Sequence, residues 1–430
     1  MHILKNGLKY ISVFLITVTI LTGLLVLVAC IPQQAIKENT ARSAEYLCSR
    51  GLFDTIIDNT EGSRIDRYAD SILLGIIYQQ DAQHPLQSVM MSSYYYNAHV
   101  NENENLYNAV TNNLDANQQY MRYWHGSSVF VKPLLTVMNL KQIYVVNGIL
   151  IAFLTVMLFL MLLKIRAYIP LTGLVIGYGA IAIWFAPLSL EYTWMFLLMP
   201  VISMVSIHIA RKGNLNNAGI LFLISGIVTN YFDFLTTETV TLLIPLLLML
   251  WNCTKTDTNF RHLLKISVKS ALSWGCGYCG MWITKWLLAS AIMHKNMLPY
   301  VTGHIDERLS GDIGLSTGAY IKGALLKNIA CMFPLGYGTI GVIAAVMICI
   351  AAIYFGYIYH KNKVNMACIG IYLMLGIIPY VRYIVLHNHS YLHCFFTYRA
   401  QLSSILALTM ILGEIIDWRY FAHGKIFKRS

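Results

Sequence analysis

The chain has 430 residues, of which 57% are hydrophobic and only 12% charged, and its mean hydropathy is +0.57. That balance excludes a soluble globular protein, and a net charge of +11 on so few charged groups calls for a topological explanation. No P-loop, no GxGxxG and no metal-ligand cysteine spacing stands out, so the motifs give no support to nucleotide-binding or zinc-binding classes.

Ten apolar runs suit a hydrocarbon core of ~30 Å: about 10–31, 143–163, 168–188, 193–210, 217–232, 238–251, 268–290, 331–358, 364–384 and 396–416. They predict an all-α polytopic membrane protein of about ten transmembrane helices, with 217–251 readable instead as one broken re-entrant pair. Basic residues near the span ends set the orientation. With the N-terminus in the cytoplasm, sixteen of the 31 bases but three of the 20 acids fall inside, including Lys164, Arg166, Arg211, Lys212, Arg419, Lys425, Lys428 and Arg429. Both ends are then cytoplasmic, and the basic balance reflects a face drawn to anionic lipid rather than nucleic-acid binding. The expected location is a plasma membrane, bacterial in type.

The first span, 1–31, ends in Leu27-Val-Ala-Cys30, which reads like a lipoprotein processing site. Its run of ~20 apolar residues exceeds the roughly 7–15 of a signal h-region, which favours an uncleaved anchor. Residues 32–142 form the long hydrophilic stretch of the chain, too long for a connector. They hold too few large apolar residues for a core of their own, so their helices are expected to lie on the membrane and on the outer ends of the spans. Ala41 to Arg50 has helical character closing at Gly51. Arg64 to Tyr78, read as one helix, puts Ile65, Tyr68, Ala69, Ile72, Leu73, Ile76 and Ile77 on an apolar stripe. It also sets Asp66 and Asp70 side by side, a repulsion of roughly 0.2–0.5 kcal/mol that Arg64, Arg67, a cation or a substrate must offset. The plain alternative is an amphipathic helix with solvated acids. A Tyr94-Tyr-Tyr96 cluster and a polar 101–117 tract, readable as a loose surface helix, come next. Arg122, Trp124, His125 and Lys132 then sit at headgroup level, either as interfacial anchors or as a pocket for a phosphate and an apolar tail.

The remainder, 143–430, is the helical bundle with external loops at 291–330 and 385–395. Asp233 and Glu238 lie in an outer turn close to hydrocarbon, where a carboxylate is expensive unless paired or facing water, and the turn is expected to line a cavity. Lys285, between Trp282 and Trp286, either snorkels, pairs with Asp233 or meets a bound anion. Gly275, Cys276, Cys279 and Gly280 predict a close-packed helix face rather than a redox motif. The 291–330 loop carries His304, Asp306, Glu307, Arg308 and Asp312 between glycines and reads as a flexible lid. His389 and His393, four apart, suit a shared metal, a bound phosphate or interfacial packing, with Arg399 just beyond. Cys48 and Cys394 are both expected on or near the outer side, and spacing alone does not pair them.

A cytoplasmic N-terminus, many spans and a long first external loop carrying an acidic pair resemble the GT-C superfamily of membrane glycosyltransferases. Arg64-Ile-Asp-Arg-Tyr-Ala-Asp, Arg122-Tyr-Trp-His-Gly, Asn388-His-Ser-Tyr-Leu-His and Thr397-Tyr-Arg are also similar to stretches in bacterial membrane proteins associated with surface polysaccharides. The resemblance implies inverting transfer of a sugar from a polyprenyl-phosphate donor to a glycan or lipid acceptor. Asp66 or Asp70 would act as general base, with Asp54 and Asp58 as rivals, and Arg122, His125, Lys285, His389, His393 and Arg399 would hold the phosphate. It leaves Mg²⁺ or Mn²⁺ open as a cofactor and assigns no metal ligand. The chain departs from many members in lacking an Asp-Asp or Asp-Glu doublet. The competing expectations are a flippase or exporter, a polymerase of lipid-linked polysaccharide, and a scaffold without chemistry; no internal repeat of the transporter kind is evident.

Overall fold

The computed structural model describes residues 2–255, 257–300, 302–303 and 314–418. His304, Asp306, Glu307, Arg308 and Asp312 of the expected lid lie outside the described residues, as do Arg419, Lys425, Lys428 and Arg429. The first helix, α1 (His2–Ala29), leads into a layer of short elements: α2 (Gln33–Cys48), β1 (Phe53–Thr55), β2 (Arg64–Asp66), α3 (Arg67–Tyr78), α4 (Pro85–Met91), β3 (Ser93–Tyr94), α5 (Glu102–Thr111), β4 (Gln118–Gln119) and α6 (Ser128–Leu135). The bundle follows with α7 (Leu140–Lys164), α8 (Tyr168–Ala180), α9 (Thr193–Arg211), α10 (Ala218–Phe232), α11 (Val240–Cys253) and α12 (Phe260–Met293). It closes with α13 (Thr317–Ala330), α14 (Gly338–Ile358), α15 (Met366–Gly376), α16 (Ile378–Val385), α17 (His387–Leu392), α18 (Cys394–Thr397) and α19 (Leu402–Ile415).

Among the described residues, seven helical segments are long and apolar enough to cross a membrane: Gly7–Ala29, Leu140–Lys164, Thr193–Arg211, Leu215–Phe232, Leu335–Ile358, Met366–Val385 and Cys394–Ile415. The chain is therefore a helical membrane protein. Three of the ten expected spans fall short of that standard for different reasons. Tyr168–Ala180 and Val240–Cys253 are apolar but short. The third, α12, is 34 residues long, but its middle mixes Lys269 and Lys285 with serines, glycines, tryptophans and a tyrosine, which lowers its hydropathy. The 217–251 region is two separate helices, α10 and α11, joined by a turn.

Helix α12 packs most closely on α10, where Gly226 faces the Trp274 carbonyl and Gly277 faces that of Leu223; a Cβ at either glycine would strike backbone. These two glycines make the tight crossing, and Cys276 and Cys279 are exposed instead. Of the expected small-residue face, Gly280 packs on Phe14 of α1 and Gly275 meets nothing, while Gly277 makes the crossing with α10, because a face is fixed by its neighbour and not by local composition.

The layer of short elements has no core of its own. Leu47, Leu73, Ile77, Val110 and Trp124 belong to one continuous apolar cluster with the bundle residues Ile151, Phe196 and Leu243. Asn103 ties three of its helices together, accepting from Ser71 Oγ at 2.7 Å and donating to the Leu47 carbonyl at 2.8 Å. Lys132 is buried rather than snorkelling: its Nζ donates to the Ala29 carbonyl at the end of α1 at 3.2 Å.

The stretch 64–78 is not one helix. Arg64–Asp66 pairs with Phe53–Thr55 as a two-stranded hairpin, and the helix begins only at Arg67. Asp66 is its N-cap, with Oδ1 accepting from the Ala69 N–H at 2.8 Å. Asp70, one turn on, points inward and is wholly buried. It accepts from the Tyr144 hydroxyl of α7 and, at 2.7 Å, from the Leu190 N–H ahead of α9. Arg67 Nη1 donates to the same Tyr144 oxygen at 3.0 Å. The two carboxylates therefore have separate duties. Replacing Asp70 by Ala strands the Tyr144 and Leu190 donors and the Ser189 hydroxyl, which reaches the same carboxylate at 3.4 Å, at a cost of about 1–3 kcal/mol each. Thermal unfolding in detergent should show a clearly lower midpoint for Asp70→Ala and a smaller drop for Asp70→Asn, which keeps an acceptor. Unchanged melting in both variants would remove Asp70 from this anchoring role.

Candidate functional site

The hairpin, the start of α3 and the helix-joining turns at one end of the bundle enclose a cavity of about 330 Å³. Its polar lining is Asp66, Arg122, Glu191, His389 and His393, and its walls include Phe53, Tyr68, Tyr94, Tyr120, Tyr123 and Phe234. These groups come from segments more than 300 residues apart in the chain. Burial pushes the Asp66 carboxyl up to about 6, partly countered by the Ala69 N–H and by the Arg64 guanidinium. Tyr68 is pushed up to about 12, again mainly by burial, so its phenol stays a neutral hydrogen-bond donor.

Arg122 lies against aromatic faces, 4.5 Å from the Tyr120 ring centroid and 5.3 Å from that of Tyr123. Its Nη2 donates to the Tyr120 hydroxyl at 2.6 Å. The histidine wall rests on the turn between α10 and α11. Asp233 shapes that turn by accepting from the Leu235 and Thr236 N–H groups at 2.9 and 3.0 Å and from the Tyr278 hydroxyl at 2.8 Å. The Leu235 carbonyl then faces His389 Nε2 at 2.8 Å and Arg382 Nη2 at 2.5 Å. For a carbonyl to accept from His389, that nitrogen must carry the proton. His393 lies with its ring centroid 4.7 Å from that of His389 and stacks on Phe396 at 5.2 Å.

Several sequence-predicted site residues stand elsewhere. Asp70 is in the anchoring network described above. Burial drives His125 down to about 3, so it is neutral and no phosphate-binding cation; its Nε2 pairs with the Tyr120 carbonyl at 3.0 Å. Lys285 meets neither Asp233 nor the cavity. Its Nζ donates to the Val89 carbonyl at 2.8 Å and lies 5.6 Å from the Trp124 ring centroid, pinning α4 to α12. Arg399 is a buried peg that donates to the carbonyls of Phe395 and Gly62 at 2.9 and 3.3 Å. Trp124, Asp233 and Glu238 are buried and do not line the cavity. Trp124 Nε1 donates to the Met281 carbonyl at 2.9 Å, and Glu238 is held by Arg382 in a bidentate pair at 2.6 and 3.1 Å. Asp54 approaches Arg67 at 3.5 Å and does not line the cavity either.

Sequence reading passed over Glu191 and the tyrosine walls as site residues, and Arg382 as a support. Glu191 precedes an apolar span in a polar turn, where an acid is unremarkable, and tyrosines at a membrane surface ordinarily read as anchors. Only Arg382 carried a signal: an arginine within an apolar run, which demands a partner. Among the described residues no three His, Cys, Asp or Glu side chains are grouped closely enough to hold a metal, so no ligand set is assigned.

Comparison of the chain with protein-family models, with curated proteins and with solved structures gives no match.

The Arg382–Glu238 pair is the support whose loss should be most visible. Removing one partner of a buried pair costs about 3–5 kcal/mol, because the other charge is left uncompensated. Glu238→Ala and Arg382→Ala are each expected to lower the melting midpoint markedly, whereas Arg122→Ala, at the cavity wall, should melt within a few degrees of the native chain. Comparable melting of all three would show that the turn does not depend on this pair.

Proposed function

We propose that the cavity is the active site of a membrane glycosyltransferase that takes its sugar from a polyprenyl-phosphate donor. One observation carries the reading. A carboxylate at the start of α3 faces the same enclosed space as an arginine and two histidines from distant segments, between walls of tyrosine and phenylalanine. Inverting transfer needs a base for the attacking hydroxyl, cationic donors for the departing phosphate and apolar faces for a sugar ring. The resemblance to the GT-C superfamily, with its acidic first external loop, supports the same assignment.

In this reading Asp66 accepts the proton as the acceptor oxygen bonds to the anomeric carbon. The bond from that carbon to the phosphate oxygen breaks, and its electron pair stays on the phosphate. Arg122 and the His389–His393 pair offset the negative charge that develops there. The N-cap bond to Ala69 holds the carboxylate in one orientation, and its environment raises its basicity. The neutral Tyr68 hydroxyl donates to a sugar oxygen, and an orientation with both termini in the cytoplasm gives this chemistry to the outer face. Glu191 is the second carboxylate of the cavity and the natural comparison. The donor reaches the site from the bilayer, since the loops at the other end are short.

Vesicles carrying the protein, given a radiolabelled sugar on a polyprenyl phosphate and an acceptor glycan or lipid, test this directly. Asp66→Asn is expected to lower the transfer rate about 10²–10⁴-fold with membrane insertion intact. Asp70→Asn should retain activity in proportion to the folded protein. Full transfer by Asp66→Asn, or movement of the lipid-linked sugar across the bilayer with no new glycosidic bond, would overturn the proposal.

The pH profile supplies a separate check. A base must be ionised to accept a proton, and Asp66 is raised to about 6. Transfer should therefore be full above neutrality and fall as pH drops through about 6. A profile flat down to pH 4.5 would exclude Asp66 as the base.

A further inference from the structure

Nine cysteines occur in the chain, all of them free thiols in this structure, and Cys331 and Cys394 meet. Asn328, near the end of α13, is a hub. Its side chain accepts from Thr397 Oγ1 of α18 at 2.7 Å and donates to the Ser390 carbonyl of α17 at 2.8 Å. Its own carbonyl accepts from Gln401 Nε2 at 2.8 Å. Cys331 lies three residues after Asn328, and Cys394 three residues before Thr397. One helical turn from the Asn328–Thr397 bond, the two thiols are therefore brought together and hydrogen-bond to each other. Both are buried, at 6% and 3% exposure. Both belong to the apolar core, and the Gly62 backbone packs on the Cys331 carbonyl so closely that a Cβ at Gly62 would strike it.

We propose that Cys331 and Cys394 form a disulfide that staples the end of α13 to the loop carrying His389 and His393. The charge asymmetry of the loops puts this end of the bundle outside the cytoplasm, where thiols are oxidised and disulfides persist. The inference rests on that orientation and not on the transferase reading. The two S–H bonds are replaced by one S–S bond. Two electrons and two protons pass to a disulfide of a thiol oxidoreductase, which leaves as a dithiol. Because both sulfurs are buried in the finished fold, the bond forms while the loops are packing. It closes a long stretch of chain containing α14, α15 and α16, and it leaves Cys48, Cys276 and Cys279 as thiols.

The bond is read from the full chain in its native membranes, denatured in N-ethylmaleimide without reductant, digested and weighed. The expected result is a linked pair of peptides containing Cys331 and Cys394, lighter by two hydrogens than the two thiol peptides together. Reductant should abolish the linked mass and make both cysteines alkylatable, whereas Cys48 and Cys276 should be alkylated from the start. A Cys331→Ser chain should carry maleimide on Cys394 before any reduction. Maleimide on both Cys331 and Cys394 of the native chain before reduction, or Cys394 linked to Cys48, would overturn the proposal.

Discussion

A buried carboxylate fixes how the two parts of this protein meet. Asp70 projects from α3 into the seam between the layer of short elements and the bundle, where Tyr144 and the Leu190 backbone close on it. Burial pushes its carboxyl up to about 7, against the Tyr144 hydrogen bond, the Arg67 charge and the Leu190 N–H that all favour the ionised form. An acid in such a place is costly to leave unsatisfied, and that cost gives the seam its geometric specificity. With α3 held in one rotation, its N-cap can face only one way. Asp66 reaches the cavity because Asp70 does not.

The opposite wall obeys the same rule with charges reversed. Arg382 enters from the apolar run of α15 and α16 and finds Glu238 together with the carbonyls of Leu235 and Thr236. These partners bend the chain between α10 and α11 into a turn in which Leu235 adopts a positive φ of 64°. A non-glycine residue holds that conformation only when its surroundings over-determine it. Asp233 and Arg382 do so from either side, and the Leu235 carbonyl that results orients His389. The buried polar groups of this turn thus serve positioning, and they support the groups at the cavity.

Each of these residues has an ordinary local role: an N-cap for Asp66, aromatic stacking for Arg122, and packing on Phe396 for His393. Those roles do not explain why a carboxylate, an arginine and two histidines meet in one enclosed space. Aromatic walls around mixed charges suit a ligand that is part apolar face and part hydroxyl. A lipid-linked sugar has that character.

Much of this was legible from the residues in order. Apolar runs announce helices that need lipid or one another, because the backbone can satisfy itself in hydrocarbon only that way, and the 32–142 stretch was visibly too polar to span and too poor in large apolar residues to fold alone. Asp66, Arg122, His389 and His393 stood out as ionisable groups beside membrane spans. The three-residue strand 64–66 was not legible, since it exists only against 53–55, and a helical period through it fitted equally well. Nor could composition separate Asp70 from Asp66, Lys285 from Arg122, or Cys48 from Cys331 as the neighbour of Cys394. Sequence determined which residues are expensive to bury and so must be partnered; only the tertiary structure decided which partner each one found, because that choice depends on distances between segments hundreds of residues apart.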